Sequence, residues 1–332
     1  MKFLHFTLGI YDKKRGNDPY EMFGDMVTII PKPWTSIQNH LLRCLCHVHV
    51  KPEFNASASI PFKNIWYKSV VEKWIDLGED TCVLFNAHYY SLFDEKFVNY
   101  LRDLSKNVFI VIYLSDKFEF YESHYKNFPS SEQLKRTYDM VITYNVSDSD
   151  KYGFVLERPA FKYLDNSIKF EEELQSDVFF VGREKGRLND IINIYEQCTS
   201  AGLSCSFYIT EVPESDMKYR SHIHYNKPMS YSEVLRRSKS TKCIVNLVQD
   251  SGAGVSLRDY EAFGYQKFLL TNNYALSKTE LYDPSQVIWI EDLPKRACEI
   301  AEGYNVQRQL TEAFSWENYY KWIQDELRGG IR

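Results

Sequence analysis

The sequence predicts an α/β protein made of two parallel-sheet domains, and three observations carry that expectation. Its 332 residues exceed what one compact core holds efficiently, so two cores are expected. Short β-type runs alternate with helical patterns along the chain, the order that builds βαβ units rather than sandwiches. Between residues 157 and 176 that alternation dissolves into Pro159, Asp165, Asn166 and the acidic run Glu171, Glu172, Glu173, which reads as a solvated linker. The expected division is therefore a first domain over residues 1–160, a linker over 161–176, a second domain over 177–312 and a terminal helix over 313–332.

In the first half the candidate strands are 3–8, 26–30, 81–86, 108–114 and 140–144. Residues 64–77 place Trp66, Val70, Trp74 and Leu77 at helical spacings and end at Gly78, a residue suited to a helix C-terminus, and 93–104 behaves similarly. The second half opens with the strand DVFFVG at 177–182 and a helix over 187–201. It continues with the strand SCSFYIT at 204–210, the helix YSEVLRRS and the strand KCIVNLV. Strands KFLLT at 267–271 and VIWI at 287–290 follow, and FSWENYYKWIQDEL closes the chain as an amphipathic helix.

Composition excludes several function classes. A charged fraction of 26% and a hydrophobic fraction of 44% are those of ordinary soluble globular proteins. Forty basic against 45 acidic residues give a net charge of -5, without the positive field that concentrates nucleic acid, so no nucleic-acid partner is expected. The apolar runs 108–112 and 243–245 fall far short of the ~20 residues a bilayer span needs. The first residues, MKFLHFTLGIYDKK, are interrupted by His5, followed by charges and lack a small-residue cleavage site, so they read as a buried strand. Seven scattered cysteines, odd in number, point to a reducing cytosol, where the sequon Asn55-Ala56-Ser57 is without meaning.

Two strand-loop-helix elements carry the chemistry. After DVFFVG, Gly182 allows close backbone approach, and Arg183, Lys185 and Arg187 surround Gly186 just before a helix. Such a loop suits a diphosphate held by free helix N–H groups and charge-assisted hydrogen bonds, and a solvated turn suits it equally. After CIVNLVQD come Ser251, Gly252, Ala253, Gly254, Val255 and a helix opening at Ser256. Ser256 with Asp259 fits a capping box, which aims helix amides at the glycine loop and at a phosphate. Arg258 falls in the first turn beside Leu257, with Glu261 one turn along on the same face. Arg258 suits phosphate oxygens and Glu261 the two ribose hydroxyls, against the alternative of a helix-surface ion pair.

The order GREKGR, SYSEVLRRSK, GAGVSLRDYEAFGYQKFLLTNN resembles the donor-binding domain of GT-B-fold glycosyltransferases over roughly the second half of the chain. Leu257-Arg258-x-x-Glu261-Ala262 followed by KFLLTN is similar to bacterial enzymes of capsule, exopolysaccharide and lipopolysaccharide assembly. The resemblance implies two Rossmann-like domains facing a cleft, Glu261 on the ribose, and the loop before it on the sugar diphosphate. It also implies residues 231–235, beginning at Tyr231, by the nucleobase, and a terminal helix with Trp316, Tyr319 and Trp322 returning to the first domain. Ala253 stands where the better-known pattern has a first glutamate, so the resemblance does not extend to an acidic contact with the sugar.

A catalytic base, in an inverting enzyme, should come from the first domain. Asp116 after the strand VFIVIYLS and His88 after CVLFNA stand at carboxyl strand edges, where α/β sheets place ligands. The alternative for Asp116 is to cap a helix from Lys117, and Asp12 or Asp18 in the loop 9–19 are further candidates. Cys44, Cys46, His47 and His49 lack paired metal-ligand spacing and read as a period-two segment, so no metal is expected. Arg236, Arg237, Lys239 and Lys242 form a basic cluster suited to an acidic acceptor or lipid surface, or to plain solvation.

The expected function is transfer of a hexose from a nucleoside diphosphate sugar, as substrate rather than cofactor, to a glycan or lipid-linked glycan hydroxyl. No cofactor is expected, and the expected place is the cytoplasm, with peripheral contact at the inner membrane face. The alternatives are a nucleotide-sugar 2-epimerase of similar fold, distinguished by acceptor-independent chemistry, and a non-catalytic sugar-nucleotide or glycan-binding module, distinguished by the absence of turnover.

Overall fold

The computed structural model describes residues 1–7, 26–30, 32–57, 60–75, 79–160, 167–249, 253–305 and 314–329. The loop 9–19, with Asp12 and Asp18, lies outside them, as does Gly252. The chain divides into two units, one of residues 1–157 and 317–332, the other of residues 158–316.

The first unit is a six-stranded parallel sheet in the order β2-β1-β3-β4-β5-β6. Its strands are β1 (Lys2–Phe6), β2 (Val27–Ile30), β3 (Thr81–Asn86), β4 (Val108–Leu114), β5 (Met140–Thr143) and β6 (Val155–Leu156). The near-continuous apolar runs of β3 and β4 suit a sheet covered on both faces. Alternation then sorts β1: Leu4 and Phe6 join Val83, Phe85, Ile110 and Ile112 in one core, while Phe3 and His5 meet the terminal helix. That helix, here α12 (Trp316–Gly329), lays Tyr320 against Phe3 at 4.9 Å between rings and brings its hydroxyl to His5 Nδ1 at 2.8 Å. Fully burying such aromatic side chains contributes about 2 kcal/mol each. The return of the chain to the first unit implied by the resemblance is therefore found from Glu317 onward.

The remaining helices of this unit are α1 (His40–Val50), α2 (Pro52–Asn55), α3 (Tyr67–Val71), α4 (Glu95–Leu104), α5 (Phe118–His124), α6 (Ser131–Thr137) and α7 (Val146–Tyr152). Two expectations need correction. The Cys44 to His49 segment is helical rather than period-two: Asn39 caps α1 through Leu42 N–H, and Cys46 and Val50, one turn apart, are its buried face. The helix expected over 64–77 is instead a 3-10 turn (Lys63–Trp66), α3 and a second 3-10 turn (Glu72–Trp74), with Val71 at φ -123 leaving the α conformation between the last two.

The second unit repeats the plan in the order β12-β11-β10-β7-β8-β9, all parallel. Its strands are β7 (Ser176–Arg183), β8 (Cys205–Thr210), β9 (Ile223–Tyr225), β10 (Thr241–Asn246), β11 (Phe268–Thr271) and β12 (Val287–Trp289). Its helices are α8 (Leu188–Ser200), α9 (Tyr231–Ser240), α10 (Leu257–Gly264) and α11 (Leu293–Glu302). The three-residue β9 gives too short an apolar run to be read from sequence. All seven cysteines are free. Among the described residues no helix is long and apolar enough to cross a membrane.

Candidate functional site

In the second unit the chain runs outward from β7 through β8 to β9, then returns to place β10 on the other side of β7. The carboxyl ends of β7 and β10 are thus the topological switch point, where open α/β sheets bind ligands. Both loops singled out by the sequence leave from there, and side chains tie them together. Arg187 donates to the carbonyl of Leu247 and, at 2.9 Å, to that of Arg183, while Gln249 donates to the Lys185 carbonyl at 2.7 Å. Lys185 and Gly186, at φ 44 and 74, form a tight turn closed by Arg187 N–H on the Glu184 carbonyl, with the positive φ pair of a type I′ turn. The three cations consequently differ. Arg183 and Lys185 are exposed, Arg183 in a 3.3 Å surface pair with Glu211, whereas half-buried Arg187 is committed to main-chain carbonyls. At Gly182 an added Cβ would crowd the Phe180 ring at 3.3 Å.

The loop before α10 is held by three asparagines. Asn272 accepts from Val248 N–H at 2.8 Å and donates to its carbonyl at 3.0 Å, and Asn273 donates to the Gly254 carbonyl at 3.0 Å. Asn246, the last residue of β10, donates to Ser256 Oγ at 3.0 Å and Asp259 Oδ1 at 2.7 Å. The capping box is formed, with Ser256 N–H on Asp259 Oδ2 at 2.7 Å. Asp259 is fully buried, and burial pushes its carboxyl up to about 6. Buried Gly254, half-buried Val255 and Ser256, and exposed Leu257 therefore lead into a helix N-terminus whose first N–H groups have no intrahelical partner.

Glu261 is 1% exposed, so it is not part of a surface ion pair. Its Oε2 accepts from Arg258 and, at 2.7 Å, from Ser238 Oγ of α9, while Oε1 is buried without a hydrogen-bond partner. Burial raises the carboxyl above its ordinary value, opposed by the Arg258 charge and then by Ser238 and Tyr231. Tyr231, packed with Leu235 and Tyr265, stands beside this carboxylate, and burial followed by the Glu261 charge drives its phenol upward. Ser238, 23 residues from Glu261, gave no local signal in the sequence, and neither did the loop-pinning asparagines.

Three of the four cations of the basic cluster at the end of α9 and the start of β10 are ion-paired, and Lys239 lies 5.0 Å over the Tyr265 ring. Arg236 pairs with Glu171 at 3.0 Å and with Glu233, which Arg237 also meets at 2.8 Å, and Lys242 meets Asp177 at 2.9 Å. Glu171, expected in a solvated linker, is one of those partners.

In the first unit the strand order reverses between β1 and β3, and His88 stands just beyond β3, in a 3-10 turn that the Asn86 side chain caps at 3.0 Å. Asp116 follows β4, the next strand. The two side chains, separate candidates in the sequence, meet: His88 Nε2 lies 3.0 Å from Asp116 Oδ2, and His88 Nδ1 2.8 Å from the Tyr125 hydroxyl. A carboxylate accepts and does not donate, so Nε2 carries the proton and Nδ1 of the neutral ring accepts from Tyr125. Asp116 does not cap α5. Asp148 does, accepting from Phe118 N–H at 2.7 Å, which leaves the Asp116 carboxylate 49% exposed and oriented by His88. Tyr125, missed in the sequence, lies one turn after Tyr121, whose hydroxyl accepts from the Ser115 and Asp116 amides.

His47 stacks on Trp34, and His49 bridges the Trp66 indole N–H and the Pro61 carbonyl, so these histidines brace α1. Among the described residues no group of three or more His, Cys, Asp or Glu is placed to hold a metal ion.

No family model matches the sequence, and no curated protein does. Solved structures match over nearly the whole chain. One described as an OtsA apo structure shares 11% identity at a TM-score of 0.54, covering 98% of this chain and 99% of its own. An alpha-glucosyltransferase in complex with UDP-glucose and DNA containing an abasic site shares 12% at 0.49, covering 98% and 92%. A UDP-forming alpha,alpha-trehalose-phosphate synthase from Burkholderia xenovorans shares 12% at 0.49, covering all of both chains. At such identities the likeness bears on the fold alone, and the fold found is α/β with two Rossmann-like domains.

Proposed function

We propose that the protein is a glycosyltransferase that moves a hexose from a nucleoside diphosphate sugar to a hydroxyl of a glycan or lipid-linked glycan, of the kind assembled into capsule or lipopolysaccharide. The observation that carries the donor half is Glu261 Oε1, a buried acceptor with no donor, one turn inside a helix N-terminus at the switch point. A ribose hydroxyl supplies the missing donor. Arg258 and the first-turn amides of α10 then face the diphosphate, with Arg183 and Lys185 as exposed cations on the neighbouring loop.

In the proposed transfer the acceptor oxygen forms its bond to the anomeric carbon as the bond to the diphosphate oxygen breaks. The electron pair leaves on the diphosphate and the acceptor proton passes to Asp116, whose carboxylate His88 orients. Stabilisation of the departing diphosphate by fixed N–H groups and Arg258 lowers the barrier without reorganisation, and the reading invokes no metal.

A thermal-shift panel of UDP, GDP and dTDP sugars tests this reading. One nucleotide at about 100 times its Kd should stabilise the protein by about 2.7 kcal/mol, and acceptor should then release nucleoside diphosphate. No shift with any nucleotide would reject it.

A further inference from the structure

We propose that, within the donor site proposed at α10 and dependent on that reading, Asn273 selects the transferred sugar: its side-chain oxygen accepts a hydrogen bond from a hydroxyl, or from an acetamido N–H, of the donor hexose.

Asn272 and Asn273 both hold the loop before α10, but only one of them uses its whole amide. Asn272 puts both arms on Val248, accepting from the N–H at 2.8 Å and donating to the carbonyl at 3.0 Å. Asn273 puts one arm on the loop, with Nδ2 donating to the Gly254 carbonyl at 3.0 Å. Its other arm, Oδ1, belongs to a residue that is 0% exposed and has no hydrogen-bond partner among the described residues. Turning the amide over does not relieve this, because it would set Oδ1 against the Gly254 oxygen, acceptor on acceptor.

Local backbone does not take up the spare oxygen either. Asn273 stands at the N-cap of the 3-10 turn Tyr274–Lys278, where asparagine ordinarily accepts from a first-turn amide, yet no side-chain cap bond is formed. Its own N–H donates to Thr271 Oγ1 at 3.0 Å, which fixes the residue at the carboxyl end of β11. A buried amide oxygen held in place without a donor is unfavourable, and a ligand that brings a donor relieves it.

Chemistry narrows that ligand group. Phosphate oxygens are acceptors themselves, so the diphosphate is not the partner of Oδ1. In the proposed donor site Arg258 and the α10 amides face the diphosphate and Glu261 faces the ribose, which leaves the hexose as the part still to be read. Ala253, Gly254 and Val255 bring no polar side chain to the loop, whereas Asn273 is tied directly to it. Being neutral, Asn273 accepts from the sugar without setting a negative charge beside the departing diphosphate.

Calorimetric titration of the full chain with UDP, GDP and dTDP, and with UDP-glucose, UDP-galactose, GDP-mannose and dTDP-glucose, tests the proposal. One monodeoxy analogue of the hexose that binds should bind wild type about ten- to a hundredfold more weakly, because it leaves Oδ1 buried without a donor. Asn273→Ala should discriminate against that analogue by less than about threefold, since a displaced loop weakens the sugar and deoxy-sugar nucleotides alike and cancels in the ratio. Asn273→Ser, which keeps a hydroxyl able to donate to Gly254, repeats the cycle should the alanine variant not fold. Equal discrimination by wild type and variant, no monodeoxy analogue discriminated by wild type, or binding of a bare diphosphate with none of the hexose forms would each overturn it. All three outcomes leave nucleoside diphosphate binding intact and are thereby separate from failure of the donor site, in which no nucleotide binds.

Discussion

The two units carry their chemistry at equivalent places, the carboxyl ends of strands at a switch point, yet they bury it differently. Glu261 is enclosed at 1% exposure and fixed from α9 and α10, whereas the Asp116 side chain stands 49% exposed and is steered by one histidine. An enclosed carboxylate can hold a ligand hydroxyl in one geometry, since every competing water is excluded. A half-exposed one can exchange a proton with an incoming group. Under the proposed function, the contrast fits binding in the second unit and proton transfer in the first.

The largest effect should come from Asp116→Asn, which removes the proposed base while keeping shape. Turnover should fall about 10²- to 10⁴-fold with nucleotide affinity unchanged, and a parallel loss of affinity in steady-state and calorimetric data would erase the division between units.

Next in size is a pH effect confined to the second unit. Burial raises the Asp259 carboxyl to about 6, so the folded state holds its proton more tightly than the unfolded chain does. The stability this group adds is complete below its unfolded value and is lost as pH rises through about 4 to about 6, up to about 3 kcal/mol. Urea unfolding of Asp259→Asn should therefore show a flatter dependence over that window than wild type. Identical slopes would contradict the enclosed character of this site.

The smallest change is expected at Tyr125→Phe, which removes the hydroxyl on His88 Nδ1 and leaves the His88–Asp116 contact. A neutral hydrogen bond of about 1 kcal/mol corresponds to a roughly fivefold slower rate, read as a drop in kcat with KM retained. A loss as large as that of Asp116→Asn would contradict a role for the Tyr125 hydroxyl limited to holding His88.

What the sequence disclosed follows the range over which its signals act. Strand-helix alternation and the Ser256–Asp259 capping box are local patterns with one physical cause, and both are found as read. Partners contributed by another segment were not legible. Ser238 reaches Glu261 across 23 residues, Asp148 accepts from the first amide of α5 from 30 residues away, and Asp116 meets His88 across 28. The Cys44 to His49 run misleads because alternating cysteine and histidine mimics a strand, while Asn39 and the one-turn spacing of Cys46 and Val50 favour a helix.

Calorimetric titration of the stabilising nucleoside diphosphate into wild type and Glu261→Ala tests the central assignment most directly. Loss of charged hydrogen bonds to the ribose predicts an affinity weakened about ten- to a hundredfold, with the variant still folded by circular dichroism. An unchanged affinity in a folded variant would contradict the placement of the donor at α10.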